Sequence, residues 1–90
     1  MAKIEANDKV TETYRTGTLI GLTKEDLVEA LGFEPNVDDD PDKVVNSWGF
    51  TVDGSDCAIW DYKGSHNIKV WSVYDLDKVL VKVFPLENFG

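Results

Sequence analysis

The chain has 90 residues, of which 42% are hydrophobic and 11% aromatic, enough to bury the small core of a single domain spanning residues 1–90. Its 17 acidic and nine basic residues give a formal net charge of -8. This charge is repelled by phosphate backbones and anionic lipids, so it argues against direct nucleic-acid binding and membrane-surface binding. It favours a partner with a basic surface.

The cysteine content and the apolar runs limit the class of protein further. The chain has one cysteine, which cannot form an internal disulfide. No apolar run approaches the roughly 20 residues that a membrane-spanning helix needs. Residues 1–15 lack the apolar segment of a secretory signal. These observations predict a cytoplasmic protein.

A short helix is predicted over Lys24–Leu31. Thr23 is a typical N-cap residue, and Asp26 stands three positions later, where a capping box places its acidic partner. Leucine and valine side chains recur at helical spacing within the segment. Gly32 follows as a C-terminal stop.

The segments on either side of this helix are more polar. Residues 1–16 are a candidate flexible segment, and residues 18–20 fit a short strand or an extended lead-in to the helix. Residues 32–42 contain two prolines and an aspartate run, which predicts a loop. The acidic side chains of that run are Asp38, Asp39, Asp40 and Asp42.

A three-stranded antiparallel meander is predicted from alternating apolar residues in the second half of the chain. Its strands are expected over Val44–Val52, 57–62 and 68–74. Asp53-Gly54 favours the two-residue turn of the first hairpin, because both residues tolerate positive φ. Residues 63–67 are polar and contain a glycine, as is typical of a loop.

The side chains suggest a register for both hairpins. In the first, Val52 faces Ser55, Phe50 faces Cys57 and Trp48 faces Ile59. In the second, Tyr62 is expected to face Ile68, so that Ile59 faces Trp71, Cys57 faces Val73 and Asp61 forms a cross-strand ion pair with Lys69. Both faces of this sheet are apolar, so either helices cover both or one face is partly open for a partner. The second face carries Trp60, Tyr62, Ile68, Val70 and Tyr74.

A second helix is predicted over 76–84. Asp75 can cap it, Pro85 ends it, and apolar residues between them recur at helical spacing, although the valines leave a strand open as the alternative. The fold class is therefore α+β: a three-stranded antiparallel meander packed with one N-terminal and one C-terminal helix. The expected core comprises Trp48, Phe50, Ile59, Trp71, Leu80 and Phe84.

The sequence offers no recognisable catalytic motif. The aspartate run lacks the central glycine and distal glutamate of a calcium loop, so we expect no metal ion and no cofactor. Cys57 is predicted on the core face, where a cysteine behaves as a small hydrophobe, and His66 lies in a loop. A Cys57–His66 dyad has little support beyond the presence of both residues. We expect a protein that is not an enzyme.

Two runs carry a resemblance to a known group of proteins. SWGFTVDG at residues 47–54 and CAIWDYKGS at residues 57–65 resemble small uncharacterised proteins of tailed bacteriophages, and the similarity covers roughly residues 39–84. Those proteins often have a Tyr-Gly-Pro turn before the last helix, whereas this chain has Tyr74-Asp75-Leu76. The resemblance implies a phage origin. Many small acidic phage proteins bind and block a host enzyme, and anti-CRISPR and anti-restriction inhibitors are among them.

Charge and resemblance together suggest an inhibitor of a host defence or nucleic-acid-processing protein, acting in the host cytoplasm. Carboxylates would oppose a basic channel, and aromatic side chains would anchor the complex. One alternative is a binder of a small molecule such as a nucleotide signal, using Lys63, Lys69 and the Gly64-Ser65 loop. Another is a phage structural or homo-oligomeric protein that uses an edge strand, and the sequence leaves a homodimer open. The candidate partner-binding residues are Asp38, Asp39, Asp40, Asp42, Glu25, Glu29, Trp60 and Tyr62.

Overall fold

The computed structural model of this protein describes residues 3–7, 10, 14–36, 44–62 and 69–90. These residues form a five-stranded antiparallel sheet and one α-helix, so the predicted α+β class is confirmed. The sheet has two more strands than the predicted meander, and the order of strands across it is β1-β3-β4-β5-β2. The elements are β1 (Ile4–Ala6), β2 (Gly17–Ile20), α1 (Lys24–Leu31), β3 (Val44–Val52), β4 (Ser55–Tyr62) and β5 (Val70–Tyr74).

The first hairpin has the predicted turn and register. Asp53 and Gly54 have φ values of 52° and 87°, as a two-residue turn with two left-handed positions requires. Phe50 lies opposite Cys57, and Trp48 lies opposite Ile59. Alternation along the strands then places these four side chains on one face, which we call the inner face.

The predicted register of the second hairpin is wrong by two residues. Ile59 lies opposite Val73 rather than Trp71, and β5 begins at Val70. A two-residue shift keeps every side chain on its face, so alternation alone cannot detect it. The predicted ion pair between Asp61 and Lys69 is absent from the described residues. Asp61 is buried and accepts hydrogen bonds from the backbone N–H of Asn46 at 2.6 Å and its side-chain amide at 3.2 Å.

The two N-terminal strands form the edges of the sheet. β2 confirms the strand expected at 18–20, whereas β1, which pairs with the end of β3, was not predicted. The outer edge of β2 is met by the C-terminal residues. The N–H of Gly90 donates to the Thr18 carbonyl at 2.9 Å, and the side-chain amide of Asn88 donates to the Ile20 carbonyl at the same distance.

Helix α1 has the predicted bounds and caps. The hydroxyl of Thr23 accepts from the N–H of Asp26, and the Asp26 carboxylate accepts from the N–H of Thr23, which completes the capping box. Gly32 ends the helix with a φ of 90°. Leu27 and Leu31 are buried against the inner face of the sheet.

The predicted C-terminal helix is wrong. Residues 76–84 contain only a short 3₁₀ turn at Leu80–Lys82, and Lys78 has a φ of 54°, which an α-helix cannot accommodate. The Asp75 carboxylate, expected to cap a helix, instead accepts from the N–H groups of Val79 and Leu80 at 2.9 and 3.0 Å. The valine-rich composition lowers helix propensity, and packing of the apolar side chains decides the conformation.

The hydrophobic core lies between the inner face of the sheet and a layer made of α1 and the C-terminal segment. Trp48 and Trp71 meet edge to face at its centre, with ring centroids 5.4 Å apart. All six predicted core residues are buried, even though the segment that carries two of them is not helical. They are Trp48, Phe50, Ile59, Trp71, Leu80 and Phe84.

The opposite, outer face of the sheet is covered differently. The Tyr14 ring packs edge to face on Tyr74, which lies opposite Ala58 on this face. Gly49 and Ala58 lie on that face and are buried, and their small size permits close approach of another segment.

Candidate partner-binding surface

Helix α1 presents an acidic side to solvent. Glu25 and Glu29 are one turn apart and exposed, and Glu34 is exposed just beyond the helix. With Lys24 and Val28, these three glutamates line an open groove of about 230 Å³, which we call the acidic groove. Three carboxylates against one ammonium make it unsuited to a phosphate and suited to a basic side chain.

Only one of the two groove glutamates on the helix has a charge that suits the helix dipole. Glu25 lies in the first turn, where a carboxylate suits the helix dipole, but Glu29 lies in the last turn, where negative charge is unfavourable. The last turn has no basic residue. Glu25 and Glu29 also repel each other at a spacing of four residues. Helix stability therefore does not explain this pair of glutamates, whereas contact with a basic partner would.

The aspartate run follows the acidic groove in the chain. Asp38, Asp39, Asp40 and Asp42 lie outside the described residues. Just before them, Asn36 is held to β3: its side-chain amide donates to the Gly49 carbonyl at 2.9 Å, and its side-chain oxygen accepts from the Gly49 N–H at 2.9 Å. Asn36, the last described residue before the aspartates, is thus fixed to β3.

The aromatic candidates do not join the acidic groove. Trp60 is half-buried on the outer face of β4, between Ser47 and Ser72 on the neighbouring strands, whereas α1 packs on the inner face. The backbone of Tyr62 pairs with Val44, and the side chain of Tyr62 lies outside the described residues. Glu25 and Glu29 are therefore on one side of the sheet and Trp60 on the other.

Cys57 has the environment of a structural thiol. It is fully buried on the inner face, as predicted, and its Sγ lies 3.8 Å from Oδ1 of Asp75. Burial, and next the negative charge of Asp75, raise the pKa of the Cys57 thiol to about 12. A thiol with this pKa carries almost no nucleophilic thiolate near neutral pH. His66, the other member of the weighed dyad, lies outside the described residues.

Metal binding and membrane insertion find no support in the part of the chain that is described. Its histidine, cysteine and acidic side chains do not gather into a set of three or more that could hold a metal ion. Its helix is too short and too polar to cross a membrane.

Tyr14 and Tyr74 form a pair that the sequence does not predict, although Tyr74 belongs to the aromatic strand face that is a functional candidate. Tyr14 and Tyr74 meet edge to face with ring centroids 5.5 Å apart, and 62% of Tyr14 is exposed. Partial burial, and then the neighbouring Tyr14, Asp56 and Asp77, raise the pKa of Tyr74. The sequence favours Tyr74 as a functional candidate together with Trp60 and Tyr62, but no sequence signal links Tyr74 to Tyr14 across 60 positions.

Comparison of the chain with protein-family models, with curated proteins and with solved structures finds no match. The function proposed below is therefore argued from the residues and geometry of this chain. The resemblance to tailed-phage proteins stays a hypothesis.

Proposed function

We propose that this protein is a non-enzymatic bacteriophage protein that binds and inhibits a host protein through the acidic groove. The observation that carries the proposal is the placement of Glu25 and Glu29. They are exposed, they share a groove with Glu34, they repel each other at a spacing of four residues, and the charge of Glu29 opposes the helix dipole. Charges placed at such a cost are typical of a surface that meets charges of opposite sign.

The kind of host protein follows from the charge. A net charge of -8 steers association toward a basic surface, and the most basic concave surfaces on proteins are those that bind nucleic acid. The aspartates at 38, 39, 40 and 42, which follow Asn36 in the sequence, would add their charge to this field. A nucleic-acid-processing defence protein, blocked by occupation of its nucleic-acid channel, fits both this charge and the resemblance to phage proteins.

The test compares two variants of equal charge. Glu25→Gln with Glu29→Gln neutralises the acidic groove, and Glu5→Gln with Glu87→Gln removes two exposed charges elsewhere. Each protein is immobilised, and host proteins captured from lysate are quantified by mass spectrometry. We expect the wild type and the control to capture the same basic protein, and the groove variant to lose most of it.

Kinetics on the captured protein then test the mechanism. The groove variant should associate more slowly and with a flatter salt dependence, because fewer charges steer the encounter. Duplex DNA or RNA should compete with the wild type for the captured protein. Equal capture and equal kinetics for the two variants would remove the acidic groove as the interface.

A further inference from the structure

We propose that Tyr14 and Tyr74, together with Asp56 and Asp77, form a second binding surface that receives an arginine side chain of a protein partner. We call these four residues the tyrosine surface. The proposal rests on the proposed function in taking the partner to be basic. It adds a separate contact site on the outer face and names the side chain that the site recognises.

The first observation is that Tyr14, in the aromatic pair, is exposed to solvent. Tyr74 ends β5 on the outer face, opposite Ala58, and its ring is met edge to face by Tyr14. Tyr14 nevertheless keeps 62% of its surface in solvent. Tyrosine is enriched among the residues that dominate binding at protein interfaces, because it offers a large rigid surface and loses little conformational entropy.

The second observation concerns the carboxylates beside the pair. Asp56 lies on the outer face two residues before Ala58, and Asp77 follows Tyr74 by three residues. Both are exposed, and both are close enough to Tyr74 to contribute to the rise in its pKa, after burial and Tyr14. Two negative charges therefore lie near Tyr74.

These two aspartates differ from the other described aspartates. Every other aspartate in the described ranges accepts a hydrogen bond that holds the fold together, whereas the carboxylates of Asp56 and Asp77 have no hydrogen bond or ion pair within those ranges. Arg15, next to Tyr14, and Lys78, next to Asp77, are exposed, and neither forms an ion pair with Asp56 or Asp77. The aspartates with structural partners are Asp26, Asp53, Asp61 and Asp75.

The chemistry of the surface selects among cations. A guanidinium group is planar, stacks on aromatic rings and can pair with a carboxylate through two parallel hydrogen bonds. An ammonium group is a compact, strongly hydrated point charge without this geometry. An exposed Tyr14 ring and a half-buried Tyr74 ring, beside carboxylates that have no partner within the described residues, therefore fit arginine better than lysine.

The tyrosine surface can be tested separately from the acidic groove, because the two lie on opposite sides of the sheet. Isotope-labelled protein is titrated with a capped hexa-arginine peptide and with a capped hexa-lysine peptide, followed by NMR. We expect the arginine peptide to bind more tightly and to shift the amide signals of Tyr14, Tyr74 and Asp77. Binding to α1 alone, equal affinity for the two peptides, or no binding would overturn the proposal.

Substitutions at Tyr14 and Asp77 test which side chains bind the hexa-arginine peptide. Tyr14→Ala should weaken hexa-arginine binding about two- to fivefold, the range of an exposed cation–π contact, and should reduce the preference for arginine. Tyr14→Phe should retain that preference. Asp77→Asn, at an exposed site without partners, should also weaken binding and gives a second test if Tyr14→Ala is poorly folded. Unchanged binding in Asp77→Asn and in a folded Tyr14→Ala would overturn the proposal.

Matched controls separate this proposal from the proposed function. Leu86→Ala removes an exposed apolar side chain elsewhere and should leave hexa-arginine binding unchanged. If it weakened binding as much as Tyr14→Ala, the assignment of the tyrosine surface would be overturned. Glu25→Gln with Glu29→Gln should leave the signals at Tyr14 and Tyr74 responding as in the wild type. If that variant also loses host-protein capture, both proposals stand. If host-protein capture is retained while the tyrosine signals still respond, only the proposal that the acidic groove binds the host protein is wrong.

Discussion

The indole groups of Trp48 and Trp71 hold the two ends of helix α1. The Nε1–H of Trp71 donates to the Leu22 carbonyl, before the helix, at 2.7 Å, and the Nε1–H of Trp48 donates to the Phe33 carbonyl, after it, at 3.0 Å. Because the two rings also pack edge to face, one contact in the core fixes the position of the helix on the sheet.

Trp71→Phe tests this anchoring. The substitution keeps an aromatic ring but removes the N–H donor, so the Leu22 carbonyl loses its partner and the core loses volume. We expect the free energy of unfolding to fall by about 1–3 kcal/mol or more. Trp60→Phe is the control, since the Trp60 indole makes no hydrogen bond within the described residues. Urea unfolding measures both, and equal losses would contradict the anchoring.

Asp75→Ala should destabilise the C-terminal segment. The Asp75 carboxylate is buried and satisfies the N–H groups of Val79 and Leu80, which would be left without an acceptor. We expect a loss of about 2–4 kcal/mol. Asp77→Ala, two residues along and exposed, should change stability by less than about 0.5 kcal/mol. Similar unfolding midpoints for the two variants would show that the buried carboxylate does not stabilise this segment.

The pKa of Cys57 predicts a loss of stability in alkaline solution. The pKa of this thiol in the folded protein, about 12, lies above its ordinary value of 9.0, so the folded state holds the proton more tightly. The stability that this protonated thiol contributes is complete below pH 9. It is lost as pH rises toward 12, by at most about 1.4 kcal/mol per pH unit. Thermal unfolding from pH 8 to 11 should show a steeper decline for the wild type than for Cys57→Ala. A thiol reagent should label Cys57 slowly until the protein is unfolded, and rapid native labelling would be inconsistent with this burial.

The register of the second hairpin can be tested at Asp61. Asn46→Ala removes the side-chain amide that donates to the Asp61 carboxylate, and it should lower the free energy of unfolding by about 1–3 kcal/mol. Lys69→Gln should change stability by less than about 0.5 kcal/mol, because Lys69 is exposed and forms no ion pair with Asp61. The opposite ranking in chemical denaturation would favour the ion pair predicted from the sequence.

Features encoded by neighbouring residues were predictable. The Asp53-Gly54 turn, the capping box at Thr23 and Asp26, and the inner face of the meander each depend on residues within a few positions of one another. Features that depend on distant pairing were not. β1 pairs with β3, more than forty positions away, so that Ile4 lies opposite Val52 and Ala6 opposite Phe50. With only three residues, β1 shows too little alternation for the sequence to predict it as a strand. The C-terminal segment failed for another reason: its apolar spacing fits a helix, but its valines and the left-handed Lys78 do not.

The candidate sites divide in the same way. Glu25 and Glu29 could be predicted as a surface, because their spacing within one helix places them together. The tyrosine surface could not, because Tyr14 and Tyr74 are 60 positions apart and come into contact only in the folded chain.

The strand order also has a consequence for biosynthesis. Strands β1 and β2 leave the ribosome first, yet their partners, β3 and β5, are synthesised later. The meander of β3, β4 and β5 has the shortest loops to close, so it can form early, after which the two waiting strands dock on its edges. Until then, the nascent N-terminal third has no sheet to join and is open to chaperones and proteases.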